Sequence, residues 1–269
     1  MRHFAILAAL AVSACTASTT AERPEKTLPE LAVERRGEGA TSVIFVHGNG
    51  NASMADWQSV APAVAELGTA TLVYDRAGHG RSPLFQRPYR LDDEVESLIA
   101  LTKDAAKRGP VIVVGHSFGG IVSALAASKS DTIDGMVFVD APLPGFFTEE
   151  MAERERERYR PQFAMLRERA PDLAEAIIPR LEAFPQIARE HMGAAYPADL
   201  PTVVIKADVS AYEDPRSIAA EERGVAAFVA ASPWRHLMRA EGSSHQVMRD
   251  RPDVVIAAVE YLKHVTERE

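Results

Sequence analysis

The chain has 269 residues, of which 46% are hydrophobic and 25% are charged, and its formal net charge is −8 at pH 7. This length and apolar content can form a large buried core in one or two domains. An acidic chain without a basic stripe is poorly suited to neutralising phosphates, so a nucleic acid is not expected as a partner.

The first 15 residues have the pattern of a signal peptide. Arg2 gives a positive start, and the apolar stretch at 4–12 is too short to cross a bilayer as a helix. Residues 1–15 are therefore predicted to direct export. Residues 16–30, which are rich in Thr, Ser, Pro and Glu, are predicted to form a flexible tether.

The cleavage site leaves two possibilities open. Residues 12–15, Val-Ser-Ala-Cys, resemble the cleavage box of bacterial lipoproteins, in which the cysteine becomes the acylated first residue of the mature chain. The resemblance implies a lipidated Cys15, a membrane contact through the N-terminus, and a cell-envelope location on the periplasmic side of the outer membrane. An ordinary secretory signal cleaved after Ala14 is the alternative, and it would give a periplasmic or secreted protein.

From residue 31 onward, short β-branched runs alternate with helical stretches. The predicted strands are residues 42–46, 70–74, 111–114, 135–139, 202–206 and 235–240, and the predicted helices are residues 54–67, 91–107, 117–129, 217–231 and 252–266. Consecutive apolar positions indicate strands that are covered on both faces. The alternation predicts an α/β fold with a mostly parallel sheet flanked by helices. In such a sheet the ligand site lies at the carboxyl ends of the strands.

One segment, residues 143–200, lacks a strand signal. Apolar residues recur at helical spacing in two groups, namely Tyr159, Phe163 and Leu166, and then Leu173, Ile177, Leu181 and Phe184. The prolines at 161, 171, 179 and 185 are predicted to divide the segment into short helices. We predict a helical cap at 143–200, inserted into a core formed by residues 31–142 and 201–269, with some of the apolar side chains lining a substrate cavity. The alternating Glu and Arg residues of 149–169 predict an exposed helix face with i,i+4 ion pairs.

The most informative motif is Gly115-His116-Ser117-Phe118-Gly119-Gly120. It follows a predicted strand and leads into a predicted helix, the context in which G-x-S-x-G forms a nucleophile elbow. In that turn a strained backbone lifts the serine Oγ above the sheet edge, and the flanking glycines avoid clashes across the turn. Ser117 is therefore the predicted nucleophile.

Four segments together resemble the α/β-hydrolase fold superfamily, of the capped kind that includes esterases, lipases and cofactor-free haloperoxidase-like enzymes. The segments are His-Gly-Asn-Gly at 47–50, Asp-Arg-Ala-Gly-His-Gly-Arg-Ser at 75–82, the Ser117 motif, and Gly-Ser-Ser-His at 242–245. They occur in the family's order, and the resemblance covers about residues 42–265. It implies an α/β-hydrolase core with an inserted cap.

The predicted base is His245. A serine hydroxyl is a weak nucleophile until an imidazole accepts its proton. His245 lies between the last predicted strand and the last predicted helix, where the family places its base. His47, His79 and His116 belong to turn motifs and are predicted to shape loops through hydrogen bonds.

The resemblance also implies an oxyanion hole made of two backbone N–H groups. One belongs to Phe118, which follows the nucleophile, and the other comes from an N-terminal strand-to-helix loop. By resemblance this second donor is Asn49, with Gly50 as the alternative.

The triad acid departs from the common pattern, in which an aspartate follows the next-to-last strand in a Gly-x-x-Asp turn. Here Ala207 replaces the glycine and Ser210 stands at the acid position, with Asp208 two residues early. Some family members carry the acid after the earlier strand, and Asp140 stands at that place. We favour Asp140 and keep Asp208 as the alternative, because either could place a carboxylate against His245.

These residues predict a carboxylesterase-like serine hydrolase that cleaves a small-molecule ester or related acyl compound through an acyl-enzyme on Ser117. A lipase, thioesterase, lactonase, amidase or carbon–carbon bond hydrolase would use the same triad, since the fold does not set the substrate. A non-catalytic envelope protein that binds a ligand under the cap is an alternative of another class. The sequence holds no metal-ligand cluster, phosphate loop or dinucleotide fingerprint, and no cofactor is implied.

Overall fold

The computed structural model of the chain describes residues 28–85 and 88–267. The predicted signal peptide, including Cys15, and residues 16–27 of the predicted tether lie outside the described residues.

Within the described residues, seven strands form one sheet in the spatial order β1-β3-β2-β4-β5-β6-β7. The strands are β1 (Val33–Arg36), β2 (Ser42–Val46), β3 (Ala70–Tyr74), β4 (Val111–His116), β5 (Gly135–Val139), β6 (Thr202–Ala207) and β7 (Arg235–Ala240). Strands β2 to β7 pair in parallel, whereas β1 runs antiparallel to β3 at one edge. The predicted α/β class with a mostly parallel sheet is confirmed.

Helices cover both faces of this sheet. The helices of the described chain are α1 (Ala61–Glu66), α2 (Leu91–Ala106), α3 (Phe118–Lys129), α4 (Glu149–Tyr159), α5 (Phe163–Arg169), α6 (Pro171–Glu182), α7 (Phe184–Met192), α8 (Pro215–Ala230), α9 (Val247–Asp250) and α10 (Pro252–Thr266). In β2, Val43 and Phe45 pack in the core shared with α1 and α10, while Ile44 and Val46 pack in the core shared with α2 and α3. Alternate side chains point to opposite faces of a strand, so covering both faces makes every position of β2 buried and apolar after Ser42.

The segment between β5 and β6, where a helical cap is predicted, contains α4 to α7 and a 3₁₀ turn at Arg160–Gln162. On α4, Arg154 pairs with Glu150 at 2.6 Å in the predicted i,i+4 spacing, whereas Arg158 pairs with Glu155 at 2.7 Å in i,i+3 spacing. No helix within residues 28–85 and 88–267 is both long and apolar enough to cross a membrane.

Several local predictions are wrong. The polar strand β1 was not predicted, because three of its four residues are exposed on the sheet edge. Strand β7 is also an edge strand and is largely exposed, so it is not covered on both faces. The helix predicted at 54–67 is a 3₁₀ turn, Met54–Trp57, followed by the shorter α1. Pro179 does not end a helix but lies inside α6. The side chains of Ile178 and Leu181, in the same helical turn, are buried.

Parallel pairing places the residues that follow each strand along one edge of the sheet. Asn49 follows β2, Ser117 follows β4, Asp140 follows β5, Asp208 follows β6 and His245 follows β7. The fold therefore brings segments that are far apart in sequence to a common edge.

Candidate active site

Ser117 occupies the sharp turn between β4 and α3. Its backbone has φ 51° and ψ −124°, a conformation that residues other than glycine rarely adopt. The turn is held by two backbone hydrogen bonds, from Ser117 N–H to the Val139 carbonyl at 3.2 Å and from Gly120 N–H to the Ser117 carbonyl at 2.9 Å. The side chain lies at the N-terminus of the twelve-residue helix α3, where the helix dipole favours negative charge.

The glycines around Ser117 are required by close backbone approach. A Cβ on Gly119 would lie 2.4 Å from the Val46 carbonyl oxygen, and one on Gly115 would lie 2.8 Å from the Gly120 Cα. A Cβ on Gly48 would lie 3.2 Å from the Ser117 Cβ, so the loop after β2 passes directly beside the serine. The glycines of the G-x-S-x-G motif are therefore required because the backbones of β4, α3 and the loop after β2 pass too close together for a side chain.

His245 and Asp140 form a short hydrogen bond. The Nδ1–H of His245 donates to Asp140 Oδ2 at 2.6 Å, which leaves Nε2 of the same ring for another partner. Oδ1 of Asp140 accepts from the Ala207 N–H at 3.0 Å and lies 3.3 Å from Lys206 Nζ. The carboxylate is thus fixed by three donors from β6 and from the loop after β7.

The environment keeps Asp140 ionised. Burial alone would raise the pKa of this carboxyl group, but the hydrogen bond from His245, the charge of His245 and the charge of Lys206 together lower its pKa below the ordinary value. An ionised Asp140 stabilises a positive charge on His245, which is the state a base reaches after accepting a proton.

Three other carboxylates, Asp208, Glu213 and Asp214, have different partners. Asp208 accepts a hydrogen bond from the Gly242 N–H at 3.1 Å and so closes a turn between two strand ends. Glu213 pairs with Arg158 at 2.9 Å, and Asp214 caps the N-terminus of α8. Of these carboxylates, Asp140 is the one that the structure places against His245.

Asn49 and Phe118, the residues expected to supply oxyanion donors, line the same cavity as Ser117. The Asn49 side chain is held by α6, because Arg180 Nη1 donates to Asn49 Oδ1 at 3.1 Å. The carbonyl of the preceding residue, Gly48, accepts from Arg76 Nη2 at 2.6 Å. The loop that carries Asn49 is therefore fixed both by the segment after β3 and by α6.

The motif histidines form hydrogen bonds that shape loops, as predicted. His47 Nε2 accepts from the Arg76 N–H at 3.0 Å, and His79 Nε2 accepts from Arg180 Nη1 at 2.8 Å. Burial, followed by the charges of nearby arginines, lowers the pKa of both histidines, so both act as neutral acceptors. His116 Nε2–H donates to the carbonyl of His245 at 2.9 Å, and burial is the main reason that its pKa falls to about 3.

A cavity of about 550 Å³ lies between the sheet edge and the helices α4 to α7, a volume typical of small-molecule sites. Ser117, His245 and Asp140 line it on the sheet side. On the helical side it is lined by all seven residues whose helical spacing was noted in the sequence: Tyr159, Phe163, Leu166, Leu173, Ile177, Leu181 and Phe184. The apolar stripes of this segment therefore face the triad residues.

Three charged residues also line this cavity. Glu155 and Arg158 line it, although both belong to the charge-rich run expected to face solvent. Glu221 of α8 also lines it, accepts from Ser210 Oγ at 2.7 Å and lies 3.3 Å from Lys206 Nζ. Burial is the main reason that the pKa values of Glu155 and Glu221 are raised.

Arg180, Lys206 and Glu221 were not predicted as site residues. Arg180 and Glu221 each lie among several charged residues of a helix, and Arg180 and Lys206 meet Glu94 and Asp140 across 86 and 66 residues of sequence. The one local signal is Lys206, a lysine inside an otherwise apolar strand. Within the part of the chain that the structure describes, no three His, Cys, Asp or Glu residues are grouped so as to hold a metal ion.

The family is shown by comparison with known sequences. The sequence profile of the Alpha/beta hydrolase family matches residues 43–258, and the chain belongs to this family. The chain is 39% identical over 113 residues to Lipase LipV of Mycobacterium tuberculosis, a match that covers 41% of each protein. It is 34% identical over 110 residues to the uncharacterized protein YqjL of Bacillus subtilis, covering 40% of this chain and 43% of that protein. The chain thus matches less than half the length of these curated relatives.

Solved structures share the fold over most of the chain. A bromoperoxidase from Bacillus anthracis is 20% identical with a TM-score of 0.61, and the match covers 88% of this chain and 96% of that one. An esterase from a marine microorganism is 17% identical with a TM-score of 0.63, covering 87% and 99%. A thermophilic esterase from Thermogutta terrifontis is 20% identical with a TM-score of 0.59, covering 88% and 94%. At these identities the likeness shows the fold.

Proposed function

We propose that this protein is a serine hydrolase that cleaves a carboxylic ester through an acyl-enzyme on Ser117. The observation that carries the proposal is the 2.6 Å hydrogen bond between His245 Nδ1 and Asp140 Oδ2, at a cavity that the strained Ser117 also lines. A serine in an elbow beside a histidine that a buried carboxylate orients is the arrangement that activates a hydroxyl nucleophile.

In this mechanism Nε2 of His245 takes the proton of Ser117 as the hydroxyl attacks the ester carbonyl. The bond from Oγ to the carbonyl carbon forms while the carbonyl becomes an oxyanion, and Asp140 stabilises the imidazolium. Collapse of this intermediate breaks the ester bond, and the alcohol leaves with the proton from His245. Water, activated by the same histidine, then releases the acid and restores Ser117.

The oxyanion is stabilised by the backbone N–H groups of Phe118 and Asn49. Both residues line the cavity beside Ser117, and Phe118 also begins α3, so its amide lies at the positive end of the helix dipole. Loss of a single donor of this kind costs about 10²- to 10³-fold in turnover.

The lining of the cavity supports an ester with an apolar portion. Phe163, Leu166, Ile177, Leu181 and Phe184 present aromatic and aliphatic surface opposite the triad residues. Burial of a hydrocarbon chain there is favourable by roughly 0.8 kcal/mol per methylene group. We therefore expect kcat/KM to rise with acyl-chain length until the cavity is filled.

The test is hydrolysis of nitrophenyl esters of increasing chain length by the wild type, Ser117→Ala and Ser128→Ala. Ser128 lies in α3, where its hydroxyl donates to the Ala124 carbonyl at 2.8 Å, so it is a matched control outside the cavity. We expect activity in the wild type and Ser128→Ala, and loss on the order of 10⁶-fold in Ser117→Ala. If the wild type binds the esters without turning them over, the protein is a non-catalytic ligand-binding protein and the proposal fails.

We also propose that the protein is exported and anchored to the cell envelope through a lipidated Cys15. The residue lies outside the described structure, and the support is its position at the end of the lipoprotein-like box at 12–15. The Cys15→Ala variant should leave the membrane fraction or accumulate as an uncleaved precursor. If labelled fatty acid is not incorporated at Cys15, simple secretion after cleavage at Ala14 is the correct description.

A further inference from the structure

A buried cluster of three charged residues lies beneath the loop that carries Asn49. We call Arg76, Glu94 and Arg180 the arginine cluster. Arg76 follows β3, Glu94 lies on α2 and Arg180 lies on α6 of the segment between β5 and β6. All three side chains are at most 2% exposed. Glu94 accepts from both arginines, through Oε2 from Arg76 Nη1 and through Oε1 from Arg180 Nε at 2.9 Å.

The cluster carries one positive charge more than its carboxylate can neutralise. His79, which accepts from Arg180, is neutral because burial and the charges of Arg76 and Arg180 lower its pKa. A second buried cation on one carboxylate is costly, and a well-packed apolar side chain would often be at least as stabilising. The excess charge is therefore a feature that stability alone does not explain.

Both guanidinium groups contact groups next to the predicted oxyanion donors, namely the Gly48 carbonyl, the Asn49 side chain and the Phe118 ring. The Gly48 carbonyl, which accepts from Arg76 Nη2 at 2.6 Å, belongs to the same peptide unit as the Asn49 N–H. A donor on the carbonyl of a peptide polarises its N–H and strengthens the bond which that N–H can donate. Arg180 Nη1 holds the Asn49 side chain at 3.1 Å, and the Arg180 guanidinium carbon lies 5.6 Å from the centre of the Phe118 ring.

We propose that Arg180 is a positioning residue through which the segment between β5 and β6 completes the oxyanion hole. Docking of α6 brings a positive charge beneath the hole and locks the Asn49 side chain, which fixes the direction of the Asn49 N–H. This inference rests on the proposed function, because it concerns the oxyanion of the same reaction. It adds that turnover depends on a residue that touches neither Ser117 nor His245.

A positioning role and a merely structural role give different results. An oxyanion hole acts on the transition state and less on the bound ester, so loss of its alignment lowers kcat and leaves KM nearly unchanged. Removal of Arg180 also leaves the Arg76–Glu94 pair neutral, so no excess charge remains in the arginine cluster. A merely structural role would change the melting temperature without selectively weakening transition-state binding.

The experiment compares Arg180→Met, Arg180→Lys and, as a matched control, Arg160→Met. Arg160 lies in the same segment but is half exposed, and it pairs with Glu182 at 3.5 Å outside the cavity.

With nitrophenyl butyrate as substrate, we expect Arg180→Met to lose about 10-fold or more in kcat, while KM stays within about twofold of the wild type. This loss is smaller than the 10²- to 10³-fold loss for a deleted oxyanion donor. The affinity for phenylboronic acid, which forms a tetrahedral adduct with the serine, should fall in parallel. Arg180→Lys should recover part of kcat, and Arg160→Met should match the wild type.

A second variant, Asn49→Ala, removes the partner of Arg180 in the same contact. It tests the inference even if Arg180→Met does not fold. Asn49→Ala keeps the backbone N–H but removes the oxygen that Arg180 binds, so its kcat should fall in the same way. The double variant should lose no more than the stronger single one, because both changes break one contact. Unchanged kcat and boronate affinity in folded Arg180→Met, or fully additive losses, would overturn the inference while wild-type activity still supports the proposed function. An inactive wild type would instead contradict the proposed function itself.

Discussion

The carboxylate of Asp140 meets the imidazole of His245 at 2.6 Å across 105 residues of sequence. If this contact orients the base, the amide in Asp140→Asn should favour the wrong tautomer of His245 and lower kcat by about 10⁴. The fold should remain, because Lys206 keeps Glu221 as a partner at 3.3 Å. Steady-state kinetics on a nitrophenyl ester, with circular dichroism to verify folding, measures the effect.

Asp208→Asn is the matched control for that variant. Asp208 also follows a parallel strand, but it binds the Gly242 N–H at 3.1 Å, so we expect at most a few-fold change in kcat through the local turn. The reverse ranking of the two variants would assign the acid to Asp208. Equally mild effects would exclude both residues as the acid.

Gly119 lies so close to neighbouring backbone that adding a side chain there should destabilise the fold. The Cβ in Gly119→Ala would lie 2.4 Å from the Val46 carbonyl oxygen and 2.6 Å from the His47 carbonyl oxygen, both backbone atoms that cannot move independently. We expect the free energy of unfolding to fall by about 1–3 kcal/mol, the usual cost of overpacking. Urea unfolding measures it, with Gly193→Ala as the control.

Gly193 is a suitable control because a Cβ there would meet its nearest atom, the Arg189 carbonyl oxygen, at an ordinary 3.5 Å. Its unfolding free energy should stay within about 0.5 kcal/mol of the wild type. Equal stability of the two variants would mean that the backbones at the elbow are less closely packed than the structure shows.

His191 makes the stability of the fold depend on pH. It is buried in α7, donates through Nε2–H to the Pro142 carbonyl at 3.2 Å, and burial lowers its pKa to about 4. Below a pH of about 6.5 the unfolded chain binds a proton that the folded chain does not. This contribution to stability is therefore complete above about pH 6.5 and is lost as the pH falls towards 4.

The His191→Gln variant isolates this effect, since glutamine does not titrate. The wild type should lose stability between pH 7.0 and 5.5, and the loss in His191→Gln should be smaller by about 1 kcal/mol. Urea unfolding of both proteins at the two pH values gives the comparison. His47, His79 and His116 contribute with the same sign in both proteins, so an identical loss in the variant would refute the assignment to His191.

The sequence predicted those parts of the site that are determined by residues close together in the chain. The glycines around Ser117 reflect a turn that admits no side chain, and apolar residues at helical spacing, such as Phe163 and Ile177, reflect one face of a helix. The sequence favoured Asp140 but could not exclude Asp208, because both follow parallel strands and reach the same sheet edge. That choice depends on three-dimensional distance alone.

The remaining features depend on pairing between distant segments. Arg180 meets Glu94 across 86 residues, and neither segment carries a pattern that distinguishes this arginine from its exposed neighbours. Glu155 belongs to a run of alternating charges that predicts a solvent-exposed face, yet it lines the cavity. The helical period predicts which residues share a face but not which part of that face another element covers.

The claim that Ser117 is the activated nucleophile is tested most directly by a fluorophosphonate probe. The full mature protein is incubated with the probe, digested, and mapped by mass spectrometry, alongside Ser117→Ala and the Ser128→Ala control. We expect one adduct per chain, located on Ser117, in the wild type and in Ser128→Ala, and no adduct in Ser117→Ala. An adduct on another residue, or an actively hydrolysing wild type with Ser117 unmodified, would contradict the claim.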